Sequence, residues 1–466
     1  MNKLLLILVL LTPLLGWAGP GDSVRIEEVL LVGHKKTRPR VVFREMTLGQ
    51  GDLIASDELP QEILRSYNNL MNTGLFASVE MQYDTLAVAE GRTSIIVNMR
   101  ETWYIYPVPQ FELADRNFNV WWNEQGRSLD RVNVGGKLTY YNFTGQRDRL
   151  KLGFTTGYTR SMEASYGFPY LNKAGSIGLS VGFGYQKRRE QNYLTRDNRQ
   201  EFYSDPDQFV YRRSSAQLTL SYRRRIYLSH SFGFGWQQSR VADTIAGVLN
   251  PQFYGDGRSS QRYFRISYDL SNDRRDVRNY PWKGTVLRVG FSKDGLGIYG
   301  ERDGLEVHAD YQKFIPFWKH YSLNYALAGK YSLIRTRQPF LENRAIGFGD
   351  NGLIGYQFYV VDGLDMVIWR LGLRRELFRT KLDLGKLVFI DAFRYIPIRM
   401  ALSVQFNQGI ANAPFVDDSN RLNNNLLTGF GAGLDVILYY DMVGGIQYNR
   451  NHLGEDGIYL NLNVGF

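Results

Sequence analysis

From Trp103 onward the chain alternates between apolar and polar positions, and its last stretch is the most regular. In Gly457–Phe466, residues Ile458, Leu460, Leu462, Val464 and Phe466 share one face. Tyr459, Asn461, Asn463 and Gly465 share the other. Period two with one greasy face predicts a β-strand set between lipid and water. The same alternation marks about sixteen runs, near 103–113, 131–141, 148–158, 161–168, 175–186, 211–223, 227–240, 260–270, 284–293, 303–313, 320–334, 365–375, 398–407, 426–438, 441–449 and 457–466. An even number of runs about ten residues long fits a transmembrane antiparallel β-barrel. The connectors after the first, fifth, seventh, eleventh and thirteenth runs are long and polar. The alternate ones, such as 143–147, 169–174 and 439–440, are short turns, apart from Ser271–Lys283 and Glu376–Ile398.

Before Trp103 the texture is mixed α/β. Val24–Ile26 and Val29–Val32 predict a first strand turning at Gly33, and Pro39–Glu45 a short helix. Ser56 or Asp57 caps a second helix with Pro60 in its first turn, an apolar face of Leu59, Ile63, Tyr67 and Leu70, and Gly74 past its end. Strands over Phe76–Tyr83 and Thr93–Met99 complete a small domain over 23–101, ahead of a barrel over 103–466. Lys3, the apolar run Leu4–Leu15 and Gly16-Trp17-Ala18 are expected to form a secretory signal at 1–18, too short to span a bilayer.

Composition sharpens this picture. Mean hydropathy is negative, which a barrel tolerates because only alternate residues meet lipid. Aromatics reach 14%, with 31 Tyr, 27 Phe and 47 Gly, as interfacial girdles and close-packed strands require. Zero cysteine removes disulfides, thiol catalysis, cysteine-bound zinc and a lipid-modified amino terminus. The formal charge of +10 is dispersed over strand faces and loop clusters such as Lys187-Arg188-Arg189, which argues for lumen and loop charge and against nucleic acid as a partner.

Two catalytic patterns are coincidental. Gly178-Leu-Ser180-Val-Gly182 lies inside an alternating strand instead of a strand-to-helix elbow, and Gly347-Phe-Gly349-Asp-Asn-Gly352 leads into no helix. His34, His230, His308, His320 and His452 lack metal-pair spacing, and His308, beside Glu306 and Asp310, reads as a lumen hydrogen-bonding residue. The expectation is a non-enzyme without cofactor or metal.

Three separated motifs carry a resemblance. Asp273-Arg-Arg275-Asp276 followed by Tyr280-Pro281-Trp-Lys-Gly284 resembles the periplasmic-turn motif of the BamA/TamA-type outer-membrane protein assembly superfamily. Gly33, Thr37, Arg44-Glu45, Gly51-Asp52 and Asn72-Thr-Gly74-Leu-Phe76 with Val79 are similar to its POTRA module. Leu353-Ile354-Gly355-Tyr356, running to Asp362-Gly363, resembles its sixth extracellular loop; Phe406-Asn-Gln-Gly409, the glycines at 429–433 and the closing Phe466 also fit. The chain departs from the family at Ile354, where the family carries an Arg that reaches a lumen acid, and in having one POTRA-like domain where the principal assembly protein has several.

The resemblance implies an outer-membrane barrel with a periplasmic POTRA-like domain. Its implied partners are outer-membrane lipids, unfolded outer-membrane or exported polypeptide clients, and assembly-complex lipoproteins. The expected working part is a lateral seam between the first strand (Trp103, Pro107, Pro109, Leu113) and the last (Gly457, Leu460, Leu462, Phe466). There the two prolines weaken the ladder, and an incoming strand adds by β-augmentation. The alternative is a polypeptide secretion pore of the two-partner type.

Overall fold

The alternation is realised as strands. The computed structural model describes residues 23–463 apart from 116, 170, 173, 226, 278, 279, 384, 386–394 and 439–442. The signal segment, the short turn at 439–440, and Val464 and Phe466 lie outside the described residues.

One unit holds residues up to Tyr104 together with Tyr141–Asp148. Its elements are β1 (Ser23–Val32), α1 (Pro39–Glu45), β2 (Leu53–Ala55), α2 (Leu59–Asn72), β3 (Phe76–Tyr83), α3 (Thr85–Ala89) and β4 (Arg92–Glu101). The sheet order is β2-β1-β4-β3, with β1 and β4 parallel. Alternate residues Val24, Ile26, Ile95 and Val97 of the sheet, with Val41, Val42, Leu59 and Leu70 of the helices, form its core. Two elements escape the sequence reading, β2 and α3, each too short to show a period. Neither Ser56 nor Asp57 caps α2; the cap position is Glu58, and its side chain makes no capping bond. The Glu101 carboxylate takes the Lys36 and Thr37 N–H groups at 3.1 and 2.6 Å. Burial alone would raise it, but the hydrogen bonds from Thr37 and Lys36 hold it below its usual range.

The second unit holds 105–140 and 149–466. Its strands are β5 (Ile105–Leu113), β6 (Val132–Tyr141), β7 (Arg149–Gly157), β8 (Thr159–Phe168), β9 (Ile177–Arg188), then the hairpin β10 (Glu190–Arg196) and β11 (Arg199–Ser204). They continue as β12 (Tyr211–Arg225), β13 (Leu228–Val241), β14 (Ser260–Asp273), β15 (Gly284–Asp294), β16 (Gly304–Trp318) and β17 (Tyr321–Ser332). The short β18 (Arg344–Ile346) and β19 (Val361–Asp362) precede β20 (Asp365–Asp383), β21 (Tyr395–Asn412), β22 (Leu427–Ile437), β23 (Val443–Asn451) and β24 (Asp456–Asn463). Sixteen of these form one antiparallel sheet running from β5 to β24, each expected run supplying one strand. Ile458, Phe430, Phe291 and Leu218 stand exposed on its outer face, while Tyr459 on the alternate face is buried. No described helix is long and apolar enough to cross a membrane; the strands do so, keeping their backbone groups paired with neighbours.

Three expectations need correction. Trp103 precedes the first barrel strand, which begins at Ile105; Trp103 follows directly on Thr102, whose N–H bonds Leu75 O in the small unit. Residues 376–383 and 395–398 of that connector are strand, because β20 and β21 stay paired as far as Asp383↔Tyr395. The connector 187–209 contains β10 and β11, whose tip residues Asp197 and Asn198 both adopt positive φ, as a tight hairpin turn demands.

Candidate functional site

The sheet's two terminal strands are where chemistry not already used by the fold remains. Ala114 donates its N–H to Arg131 O, in register with the Leu113↔Val132 pair. Even-numbered residues of β5 therefore turn their backbone groups toward β6, and odd-numbered ones turn theirs to the opposite edge. Pro107 and Pro109 are odd. Their nitrogens, which carry no proton, lie on the edge that would meet β24. On β24, Asn451 donates to Glu455 O and Asn449 pairs with Gly457, so odd residues face β23 and even ones such as Leu460 face the seam. Among the described residues no hydrogen-bonded pairing joins β5 to β24. Leu113 ends its strand and Gly457 begins the regular part of the other. The backbone of Leu462 pairs with Gly444, and Phe466 lies outside the described residues.

Where β5 ends, the chain is fastened by charge. Arg131 bridges Asp115 at 2.6 Å and Glu190 at 2.8 Å, three side chains with little exposure, and Arg131 and Glu190 line a polar cavity of about 330 Å³.

The turn motif is packed against the barrel wall. Arg275 grips Asp273 through two bonds of 2.9 and 2.7 Å, and the Asp276 carboxylate accepts the Trp282 N–H at 3.1 Å. Tyr280, whose phenol is pushed up by burial, donates to Asp435 Oδ2 of β22 at 2.7 Å. Arg374 of β20 stacks on the Tyr280 ring at 4.1 Å and donates to Pro281 O at 3.0 Å. Gly284 has φ of +110°, and a Cβ there would stand 2.2 Å from Arg274 O, so only glycine closes this turn. Tyr280 and Trp282 pack on Ala401 and Ile437 of the barrel wall.

The 333–364 loop is docked with its polarity reversed from the family pattern. Ile354 is buried and holds no charge partner. Several wall side chains donate to the loop backbone. Arg370 of β20 donates to Asp350 O and Gly352 O at 2.7 and 3.1 Å. Lys330 of β17 donates to Arg344 O and Gly363 O at 2.6 and 3.1 Å. Asn451 of β23 donates to Gly355 O at 2.9 Å. The Tyr356 hydroxyl donates to Thr428 O at 3.1 Å and meets His452 Nδ1. An apolar cluster of Ile346, Leu353, Tyr356, Val361, Ile368 and Leu427 lies beneath. The glycines at 409 and 429 make room for it: a Cβ at Gly429 would be 1.9 Å from Ile354 O, and one at Gly409 would be 2.8 Å from a Leu353 methyl. Asp362 is buried, and its burial pushes the carboxyl up to about 6.

Sequence reasoning missed the asparagines that interlock the loops. Asn198, at the β10–β11 tip, donates to Asn423 Oδ1 at 2.7 Å and to Val360 O at 3.2 Å, and accepts the Leu422 N–H at 2.9 Å. Asn423 in turn donates to Asp362 O at 2.7 Å. The run Asn423-Asn-Asn425 was the available signal. His308 does sit in a lumen hydrogen bond, to Asp269 at 3.0 Å.

Against this geometry, the Omp85 superfamily domain matches residues 142–359. That match covers just under half of the chain. The chain is 22% identical over 404 residues to an outer membrane protein assembly factor BamA of Nitratidesulfovibrio vulgaris, an alignment covering 85% of this chain and 44% of that protein. The chain thus spans less than half the length of that relative. Its fold is like that of BamA from Haemophilus ducreyi lacking POTRA domains 1–3 (TM-score 0.62, 15% identity, 95% of this chain and 84% of that one). It is also like that of CdiB from Escherichia coli (TM-score 0.56, 12% identity, 94% and 75%). The chain is a β-barrel of the outer-membrane type preceded by a small α/β domain of POTRA-like kind.

Proposed function

We propose that this Omp85-type chain inserts client β-barrels into the outer membrane by opening sideways between β5 and β24, with the POTRA-like domain guiding clients. The observation that supports the reading is the register of β5, which puts the Pro107 and Pro109 nitrogens on the edge toward β24, together with the two hydrogen bonds that Asn119 makes to the Leu460 backbone on the facing edge. Each proline leaves the β5 edge one donor short, and an extended client segment laid beside β24 forms a backbone ladder of its own, so strand addition needs no nucleotide. The clients are unfolded outer-membrane polypeptides, and assembly lipoproteins are the expected accessory partners.

Because the chain has no cysteine of its own, a clean test is available. Pairs of cysteines, one on β5 at 107, 109 or 111 and one on β24 at 458 or 460, are screened for oxidation in the native host. Outer-membrane proteins are then counted with and without reductant. Locking is expected to deplete many barrels and reductant to restore them. A locked seam that leaves the count unchanged overturns lateral opening. Loss of one exported protein alone assigns the chain to polypeptide secretion.

A further inference from the structure

One residue outside every motif above touches the seam. Between β5 and β6 the chain forms a single-turn helix, α4 (Phe118–Asn123), and Asn119 on it is 5% exposed. Its Nδ2 donates to Leu460 O at 3.3 Å, and its Oδ1 accepts the Leu460 N–H at 3.2 Å. Both backbone groups that Leu460 turns to the seam are therefore taken by one side chain. A carboxamide carries one C=O and N–H donors in the same planar arrangement as a peptide unit. Asn119 presents to β24 what one residue of a neighbouring strand would present. Within lipid or at its rim, such a pair would otherwise be left without a partner.

The helix is held in that position from two sides. Asn117 caps it, accepting the Val120 N–H at 2.9 Å, while its own Nδ2 donates to Gln357 O of the docked loop at 2.9 Å. Glu124 at its far end pairs with Arg199 of β11 at 3.1 Å. The docked loop touches the same strand a second time, through Phe358 against the Tyr459 ring, 5.9 Å between centroids. Loop, helix and strand edge are thus one connected structure.

We infer that α4 is a place-holder on the β24 edge: Asn119 imitates one residue of a client strand, and an incoming extended polypeptide must displace it to pair with Leu460. The inference rests on the lateral-opening reading for its purpose, but its geometry is tested separately. Displacing the helix also breaks the Asn117–Gln357 bond, so release of the edge is coupled to the seating of the loop.

The experiment uses the full chain in phosphatidylcholine–phosphatidylglycerol vesicles, as the unaltered protein, Asn119→Ala and the isosteric Asn119→Asp. Residue-resolved amide exchange is read at Leu460, with Ile458 on the same edge as control. Removing one hydrogen bond of ordinary net strength is worth roughly tenfold in exchange. Leu460 is expected to exchange about tenfold faster in Asn119→Ala and less so in Asn119→Asp, which keeps the acceptor but loses the donor. The second readout is capture of a labelled synthetic peptide of residues 456–466 by a photoreactive group at position 458, expected to rise several-fold in the same order. Unchanged Leu460 exchange in both variants overturns the place-holder. Faster exchange without greater capture overturns the competition with an incoming strand. A seam lock that proves harmless removes the lateral-opening reading and leaves the exchange result standing.

Discussion

The quarter of the barrel from β20 to β23 and the facing edges of β24 and β5 are made of the same kind of strand, yet they are built differently. In the first, β20 and β21 are paired from Asp365↔Asn412 to Asp383↔Tyr395, and glycines at 409 and 429 let the docked loop lie against the wall. At the seam no ladder is found among the described residues. Two prolines withhold donors there, and a side-chain amide stands in at one position. Alternation alone makes a strand. What a strand does depends on whether its edge groups find backbone partners and whether its inward face is shaped for a neighbour.

The contrast is broken most severely by Gly429→Val. Its Cβ would strike the Ile354 carbonyl, a backbone atom that no rotamer change can move. Overpacking of this kind costs about 3 kcal/mol at its upper end. Protease cleavage within 347–360 is expected to rise sharply, with the sixteen-stranded sheet retained by circular dichroism. Unchanged cleavage would show that the loop is not seated by the glycine floor.

Asp362 sharpens the same quarter through pH. Its carboxyl is raised to about 6 in the folded protein, above its unfolded value near 4. The folded state therefore holds the proton more tightly. The contribution is fully present below about pH 4 and is lost as pH rises through 6, on the order of 3 kcal/mol in all. Loop protection against amide exchange should fall between about pH 4 and 6 in the unaltered protein and stay flat in Asp362→Asn. A slope surviving in that variant would assign the pH dependence elsewhere.

The smallest effect is expected at the seam itself. Pro107→Val and Pro109→Val each return one N–H to the edge, worth about 1 kcal/mol if it finds an acceptor. Exchange at the new amides should be slow and client insertion reduced a few-fold, most in the double variant. Faster insertion would mean that the prolines restrain the seam instead of loosening it.

Much of this was legible in the chain before any coordinates. Period two located all sixteen barrel strands, because lipid on one side and lumen on the other impose a pattern on every second residue. The prolines of β5 and the turn residues Asp273 to Gly284 were visible for a similar reason: their chemistry is local. Ends were less legible. Trp103 reads as strand and belongs to the small domain, and the reach of β20 and β21 past 376 shows no alternation strong enough to announce it.

What the sequence by itself determined, then, is the cylinder and the residues at its joints, since those follow from backbone geometry and solvent contact along a single strand. Only the tertiary structure decided which edge the proline nitrogens face, that the docked loop is held by wall donors Arg370, Lys330 and Asn451 in place of a loop arginine, and that Asn119 reaches Leu460 across 341 positions of chain. Each of these depends on register or on contacts between distant segments. One residue's slip in pairing would reverse every edge and face assignment, and no local pattern encodes which distant partner an amide will find.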